Sequence, residues 1–293
     1  MSQVALTGRA TTSRRSTTSK SGASWGSPTT YLVATVLISV CIAPVLYIII
    51  GGFRTNSQIT VNPSGWPDPW VLTNYTSVLQ SGLFWQQFGN SMISALSTTV
   101  AAVALALMAS FVIARYSFAG RNAMYALFAA GLMFPMTVAI TPLYLLVKNL
   151  GLTNNLLGVI LPQIAFALPT TVIILVPFLA AIPKELEEAA SIDGASRLGF
   201  FFRMVLPLSL PGVITTGILV FIGAWNSYLL PLFILNDSRQ YTLPLGVQSF
   251  SSEHSVDTAA VLAFTSLSMI PALVFFSIFE RRIVGGLTGA VKG

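Results

Sequence analysis

The sequence contains few residues that could carry redox, metal or catalytic chemistry. Its 293 residues include one cysteine, Cys41, and one histidine, His254. A single cysteine excludes an internal disulfide, and one histidine with one cysteine makes no paired-histidine or cysteine-cluster metal site. The dipeptide Gly-Lys occurs nowhere, which excludes the phosphate-binding loop of P-loop nucleotide hydrolases. We therefore predict that the chain is not an enzyme and holds no cofactor of its own.

Charged residues are also scarce. They make up 8% of the chain, whereas 54% of the residues are hydrophobic, and soluble domains contain about 25% charged residues. This composition predicts a membrane protein. The net charge of +6 is spread between apolar segments and forms no basic stripe interleaved with aromatic residues, which argues against nucleic acid as a partner.

Six long apolar segments without charged residues fill most of the sequence. Each has the roughly 20 residues that a helix needs to cross the hydrocarbon of a bilayer. The segments are continuous apolar runs and not alternating strands, which favours helices over a β-barrel. We predict an all-α membrane protein whose six transmembrane helices span Tyr31–Phe53, Met92–Ala114, Ala123–Val147, Leu156–Ile182, Leu208–Leu235 and Thr258–Phe279.

The distribution of basic residues predicts the orientation. Of the 15 Lys and Arg residues, only Arg54, Lys148 and Arg239 fall in the loops of one side. Lys and Arg accumulate in cytoplasmic loops, so both termini are predicted to be cytoplasmic. Residues 1–30 are predicted to be a disordered basic tail, residues 31–282 the transmembrane domain, and residues 283–293 a C-terminal cytoplasmic tail.

A charged stretch, Pro183–Pro211, lies between predicted helices four and five. Pro183 suits a first helical position, because its missing N–H would be unpaired there in any case. Gly194 tolerates the positive φ that ends a helix, Ser196 is a candidate N-cap for the next helix, and Pro207 cannot lie deep inside one. The stretch therefore predicts a cytoplasmic hairpin of helix, tight turn and helix.

Spaced residues in this stretch resemble the coupling loop of ABC importer permeases. The family pattern is Glu-Ala-Ala, three residues, Gly, nine residues, Ile, one residue and Leu-Pro. The chain has Met204 in place of the Ile, a swap that conserves volume, and its Asp-Gly-Ala run is similar to sugar-type permeases. The resemblance implies that the first short helix docks in a cleft of a separate ATPase and passes its movement to the membrane domain. The implied coupling residues are Glu188, Ala189, Ala190, Asp193, Gly194, Ala195, Leu206 and Pro207.

Two further regions resemble carbohydrate permeases. In the loop between the first two helices, a Pro/Trp segment is followed by Asn74-Tyr75, Phe88 and Asn90-Ser91. The resemblance implies that this loop helps to receive an external solute-binding protein. The end of the chain is similar to the C-terminus of the maltose-type permease subunit, which implies a tail that contacts the ATPase. Its residues are Gly289, Ala290, Val291, Lys292 and Gly293.

Predicted helix five carries polar residues inside an apolar run. Polar side chains in a membrane helix tend to face the bundle interior or a cavity. Asn226 and Tyr228 can offer hydrogen bonds to sugar hydroxyls, and Trp225 can offer a flat apolar face. The alternative for each residue is hydrogen bonding between helices. We predict Trp225, Asn226 and Tyr228 as residues of a substrate pathway.

The resemblance implies the permease subunit of a binding-protein-dependent ABC importer that brings a sugar or oligosaccharide into a bacterial cell. Its implied partners are an ATPase dimer that binds ATP and Mg²⁺, a second homologous permease and an extracytoplasmic solute-binding protein. One alternative keeps the ABC fold with glycerol phosphate, a polyamine or a peptide as cargo. Another is a secondary transporter or channel, which would need an intramembrane carboxylate or a selectivity ring, and neither is visible in the six segments.

Overall fold

The computed structural model describes residues 28–250 and 256–291, with side chains up to position 278. Every regular element in these residues is helical, as predicted. In chain order the elements are α1 (Pro28–Gly51), α2 (Asn56–Val61), α3 (Thr73–Gln80), α4 (Gly82–Arg115), α5 (Arg121–Gly131), α6 (Met136–Asn149), α7 (Leu156–Ala180), α8 (Lys184–Ile192), α9 (Arg197–Phe200), a π-helical segment (Phe201–Val205), α10 (Leu206–Trp225), α11 (Leu229–Ile234), α12 (Leu243–Gly246), a 3₁₀ segment (Val247–Phe250) and α13 (Thr258–Val291).

The described residues contain five helical stretches that are long and apolar enough to cross a membrane, or six if the bent pair of α5 and α6 makes one span. The order of the stretches agrees with the sequence prediction, but their bounds differ. For example, α4 begins at Gly82 and not at Met92. The five stretches are α1, α4, α7, the run Arg197–Trp225 and the part of α13 from Thr258 to Ile278.

The predicted span from Ala123 to Val147 consists of two helices and not of one continuous helix. The helix α5 ends at Gly131 and α6 begins at Met136, and the axes of these two helices differ by 100°. Pro135 explains the break, because its ring excludes the helical conformation of the residue before it and it has no N–H for a helical hydrogen bond. Pro135 itself is extended, with ψ at 128°.

The prediction of one continuous helix from Leu208 to Leu235 is wrong. The helix α10 ends at Trp225, and α11 begins at Leu229. Pro231 would clash with the carbonyl of Ser227 in a continuous helix, since a proline ring excludes the carbonyl four residues before it. The three residues between the helices therefore adopt a non-helical link.

The helices α4, α7 and α10 form the centre of the compact unit that begins at Val45. The buried face of α4 carries small residues, with Ala95, Ala102 and Ala106 all fully inaccessible. Small side chains let helix backbones approach closely, which is how membrane helices gain contact. On α10, a Cβ at Gly212 would lie 2.9 Å from the ring of Phe178. The three helices are therefore packed tightly.

Arg54, which the sequence places in an outer loop, has a buried side chain. Its guanidinium donates hydrogen bonds to the carbonyl oxygens of Gln58 at 2.6 Å, Pro63 at 2.8 Å and Asn62. Gln58 lies within α2, and Asn62 and Pro63 directly follow it. The carbonyls of Gln58 and Asn62 also accept hydrogen bonds from the N–H groups of Asn62 and Gly65. Arg54 therefore caps α2 from within the fold.

Asn74 and Tyr75 are engaged within the chain. The amide of Asn74 donates to the carbonyl oxygens of Gly52 at 2.9 Å and Arg54 at 2.8 Å. The hydroxyl of Tyr75 donates to the carbonyl oxygen of Ile49 at 2.7 Å. The two side chains fix α3 against the end of α1.

Asn90 and Ser91 hold the segment that enters α12. The amide of Asn90 donates to the carbonyl oxygen of Tyr241 at 3.0 Å, and the hydroxyl of Ser91 accepts from the N–H of Leu243 at 2.7 Å. The polar residues that we expected to help receive a solute-binding protein thus have partners inside the fold. The tryptophans of this region that stay more than half exposed are Trp66, Trp70 and Trp85.

Candidate functional site

The charged stretch folds as a helix, a tight turn and a second helix, as predicted. The prediction that Pro207 cannot lie inside the second helix is wrong, because the helical run continues from Arg197 to Trp225, with π-helical geometry at Phe201–Val205 just before Pro207. Pro183 lies just before α8 in an extended conformation, with φ at −56° and ψ at 138°, and is not the first helical residue. Glu185 and Glu187 lie in the first turn of α8. Negative side chains there interact favourably with the positive end of the helix dipole.

Gly194 makes the turn between the two helices with φ at 76°. Its N–H donates to the carbonyl of Ser191 at 3.1 Å, and the N–H of Ala195 donates to the carbonyl of Ala190 at 2.9 Å. This is the Schellman pattern of a helix end, which needs a residue that accepts positive φ. Ser196 then caps α9, because its hydroxyl accepts from the N–H of Gly199 at 3.1 Å.

The residues of the coupling motif divide between the core and the surface. Ala190 is buried, and Ala195 and Leu206 pack against the same hydrophobic cluster. The others are exposed and face outward from the hairpin: Glu188, Ala189, Asp193, Gly194 and Pro207.

The hairpin also exposes large apolar side chains that sequence reasoning did not single out. Ile192 is 87% exposed, Leu198 is 71% exposed and Phe202 is 61% exposed. Apolar residues within a charged loop are the signal that could have identified them. Ile192 lies on the charged helix α8, whereas Leu198 and Phe202 lie in the helical run Arg197–Trp225, which is apolar enough to enter a membrane.

A cavity of about 230 Å³ lies among α4, α7 and α10. Its lining combines apolar side chains with hydroxyl and amide groups, and no lining residue is charged. The polar residues that line it are Thr98, Gln163, Thr170, Thr171, Thr216 and Ser227.

Gln163 is the most constrained of these residues. It is 6% exposed. Its Oε1 atom accepts from the hydroxyls of Ser94 at 3.1 Å and Thr98 at 3.0 Å, whereas its Nε2 atom is buried without a hydrogen-bond partner. A buried donor without a partner is costly, which makes the amide available to a bound solute. The sequence signal was present, because Gln163 is the only amide in predicted helix four.

The structure does not bring Trp225, Asn226 and Tyr228 into one site. Trp225 is buried and stacks on Phe221, while Asn226 is exposed and lines a neighbouring cavity with Trp225. Tyr228 accepts a hydrogen bond from the amide of Gln248 at 3.0 Å and lines neither cavity. Ser227, which we did not predict, is the member of this link that lines the central cavity.

The predicted C-terminal contact tail is described in part, by its backbone only. The backbone of α13 is helical to Val291, and the side chains beyond position 278 are not described. Of the tail, Gly289, Ala290 and Val291 belong to this helix, and Lys292 and Gly293 lie outside the described residues.

Residues 102–285 match the model of a protein family described as binding-protein-dependent transport system inner membrane component. The matched range contains the hairpin and all of α7 and α10. It also contains most of the residues that line the central cavity.

Curated relatives resemble almost the whole chain. The trehalose transport system permease protein SugB of Mycobacterium tuberculosis is 37% identical over 262 residues, which are 88% of this chain and 95% of that protein. The diacetylchitobiose uptake system permease protein NgcG of Streptomyces coelicolor is 34% identical over 251 residues, 85% of this chain and 83% of that protein.

A solved structure has a similar fold. It is that of a bacterial ABC transporter involved in the import of the acidic polysaccharide alginate. Its matching chain has a TM-score of 0.75 and 19% sequence identity, and the match covers 86% of this chain and 94% of that chain.

Proposed function

Since the chain belongs to the family of binding-protein-dependent transport system inner membrane components, we propose that it is a permease subunit of an ATP-driven ABC importer for a sugar or oligosaccharide. It forms part of the membrane pathway and hydrolyses no ATP itself. ATP and Mg²⁺ are bound by a partner ATPase dimer, and a second homologous permease completes the pathway. An extracytoplasmic solute-binding protein delivers the cargo.

The observation that carries this proposal is the hairpin. Its turn requires the positive φ of Gly194, and the motif residues around the turn face outward beside exposed apolar side chains. A loop that served only to connect two spans would have no reason to keep the side chain of Ile192 exposed on a charged helix. An ATPase that covers this surface would move together with α8.

The lining of the central cavity supports a neutral sugar as the cargo. Hydroxyl and amide groups bind sugar hydroxyls, and apolar side chains such as Phe166 offer a surface to the faces of a sugar ring. A cargo with a phosphate or carboxylate group would favour a basic residue, and the lining contains none. This lining favours a neutral saccharide over glycerol phosphate as the cargo.

We place the hairpin on the cytoplasmic side of a bacterial plasma membrane, with both termini on the same side. Lys184, Arg197 and Arg203 are exposed on the hairpin and the segment that follows it, so accessible basic residues cluster at the hairpin end of the bundle. Of the three basic residues at the other end, Arg54 is buried and bonded to carbonyl oxygens. The contrast in accessible positive charge supports this orientation.

The Asn226→Ala variant tests the residues that the sequence selected for the pathway. Asn226 lines its own cavity beside Trp225, so its loss is expected to change the relative uptake rates of different sugars. The amount of ATPase that co-purifies should not change, because the 20-residue helix α10, about 30 Å long at 1.5 Å per residue, separates Asn226 from the hairpin. An altered amount of ATPase with an unaltered sugar preference would contradict the assignment.

Deleting Gly289–Gly293 tests the C-terminal contact. We propose that this tail lies against the ATPase, so its removal is expected to lower the yield of ATPase that co-purifies with the chain in detergent. Deleting five residues from the N-terminal tail is the control. Full retention of the ATPase after the C-terminal deletion would leave the tail without this role.

Transport in liposomes tests the function as a whole. The complex captured through a tag on this chain should accumulate labelled disaccharide when ATP is enclosed and the loaded binding protein is supplied at the other face. The chain reconstituted by itself should accumulate none under a proton or sodium gradient. Uphill accumulation by the chain alone would identify a secondary transporter and overturn the proposal.

A further inference from the structure

Arg115, the last residue of α4, has a side chain that is only 2% exposed. Its Nε and Nη2 atoms both donate to Oε2 of Glu187 in α8, at 3.0 and 2.8 Å. Its Nη1 atom donates to the carbonyl oxygen of Ile182 at 2.5 Å, and Nη2 also lies 3.4 Å from the carbonyl oxygen of Pro183. One side chain thus joins α4 to the segment after α7 and to the first turn of α8.

The geometry requires arginine. A planar guanidinium presents donors in several fixed directions, so it can bind a carboxylate on one edge and backbone carbonyls on another. A lysine ammonium is a single point of charge and would hold fewer of these partners in a fixed geometry. Because the Arg115 side chain is almost fully buried, its bonds are also screened less by water and salt than those of a surface pair.

Tyr116, the next residue, contacts the other helix of the hairpin. The guanidinium of Arg197 in α9 lies 5.2 Å from the centre of the Tyr116 ring, within the range of a cation–π contact. The Tyr116 ring also packs edge-to-face against Phe111 of α4, with the ring centroids 5.5 Å apart at an interplanar angle of 88°. Burial raises the pKa of the Tyr116 hydroxyl, and the Glu187 carboxylate raises it further, so the hydroxyl stays neutral at physiological pH.

The helix α4 connects this contact to the central cavity. Ser94 and Thr98 of α4 donate the two hydrogen bonds that orient Gln163. Thr98 lies 17 positions before Arg115 on one uninterrupted helix, which corresponds to about 25 Å at 1.5 Å per residue. A displacement of the hairpin that moved the end of α4 would therefore move groups that line the cavity.

We propose that Arg115 and Tyr116 clamp the hairpin to α4, and that this clamp transmits the movement of α8 to the cavity through α4. Arg115 is a positioning residue, since it acts through Glu187 and α4 and touches neither solute nor nucleotide. The inference rests on the proposed function as an ATP-driven importer. It adds a route of transmission within this chain.

The test measures the amount of sugar taken up per ATP hydrolysed, in liposomes that contain the complete complex. Arg115→Met keeps the length of the side chain and removes its charge and donors. Because coupling between sites is typically worth 5- to 150-fold in an equilibrium, the ratio of uptake to hydrolysis is expected to fall at least about fivefold, while ATP hydrolysis continues. Glu187→Gln, which leaves the bonds of Arg115 to the carbonyls, should lower the ratio less.

Two further variants separate transmission from folding. The double variant Arg115→Glu with Glu187→Arg exchanges the two charges. Its ratio of uptake to hydrolysis should be higher than the ratio of either single variant. Arg121→Met is the matched control, because Arg121 is a basic residue at the same end whose guanidinium bonds to the carbonyl of Ile113 and not to the hairpin. The ratio of uptake to hydrolysis in Arg121→Met should equal that of the unmodified complex.

The outcomes are distinguishable. A purely structural role would reduce assembled complex, so uptake and hydrolysis would fall together and the ratio would not change; that result would overturn the clamp. If Arg115→Met fails to assemble, the same ratio measured on Glu187→Gln decides. Absence of ATP-driven uptake by the unmodified complex would instead overturn the proposed function.

Discussion

Replacing Gly194 with Asp is expected to leave the chain inserted in the membrane and to abolish the stimulation of ATP hydrolysis by solute-loaded binding protein. Gly194 has φ at 76°, and no atom lies within 4 Å of the position that a Cβ would occupy. The substitution therefore disturbs no internal packing. It adds backbone strain of about 1–2 kcal/mol and a negative charge on the surface where we propose that the ATPase docks.

The chain supplies a matched control for this experiment. Gly120, between α4 and α5, also has positive φ, at 91°, is also exposed, and also has no atom within 4 Å of a built Cβ. Gly120→Asp therefore introduces the same residue and comparable strain at the hairpin end of the bundle, outside the hairpin itself. Stimulation should survive in Gly120→Asp. Equal stimulation in both variants would contradict the coupling role of the hairpin.

Replacing Gln163 with Met is expected to lower sugar uptake at least about fivefold while basal ATP hydrolysis persists. The variant keeps the side-chain length but removes the only amide of the central cavity. A solute hydroxyl left without this partner loses about 1–3 kcal/mol, and each 1.4 kcal/mol is a factor of about ten. The informative measurement is uptake of a series of sugars that each lack one hydroxyl.

Two controls isolate the role of the amide. Ser94→Ala removes one of the two hydroxyls bonded to Gln163 and keeps the amide itself, so uptake should fall far less. Thr216→Val changes another lining residue, whose hydroxyl already donates to the carbonyl of Gly212 at 2.9 Å. With the unmodified chain, a sugar that lacks the hydroxyl bound by Gln163 should be taken up more slowly than the parent sugar. In the Gln163 variant, the uptake rates of these two sugars should become equal. If the ranking of sugars stays the same, Gln163 does not contact the cargo.

The two predictions examine different ends of one pathway. Gly194 is exposed at the hairpin, and Gln163 is buried beside the cavity. A Gly194 variant should fail to stimulate hydrolysis with every sugar, whereas a Gln163 variant should fail selectively. An identical phenotype in both would indicate a general loss of assembly.

Local sequence was enough to predict the hairpin. Gly194 and Ser196 act through their own backbone conformation and through bonds to residues at most five positions away. Such interactions depend on neighbours in the sequence, so spacing and residue type predict them. The same reasoning applies to the apolar spans, whose length and composition are properties of continuous segments. The breaks at 132–135 and 226–228 were missed, although Pro135 and Pro231 were visible.

The sequence by itself thus determined the membrane class, the helical character and the shape of the hairpin, because each depends on residues close together in the chain. Only the tertiary structure decided which polar groups meet. Glu187 lies 72 positions from Arg115, and Gln163 lies 69 positions from Ser94. No local pattern encodes such pairs, since they depend on how α4 and α7 pack and on which faces they bury. That packing brought Arg115 against the hairpin and left the Nε2 atom of Gln163 buried without a hydrogen-bond partner.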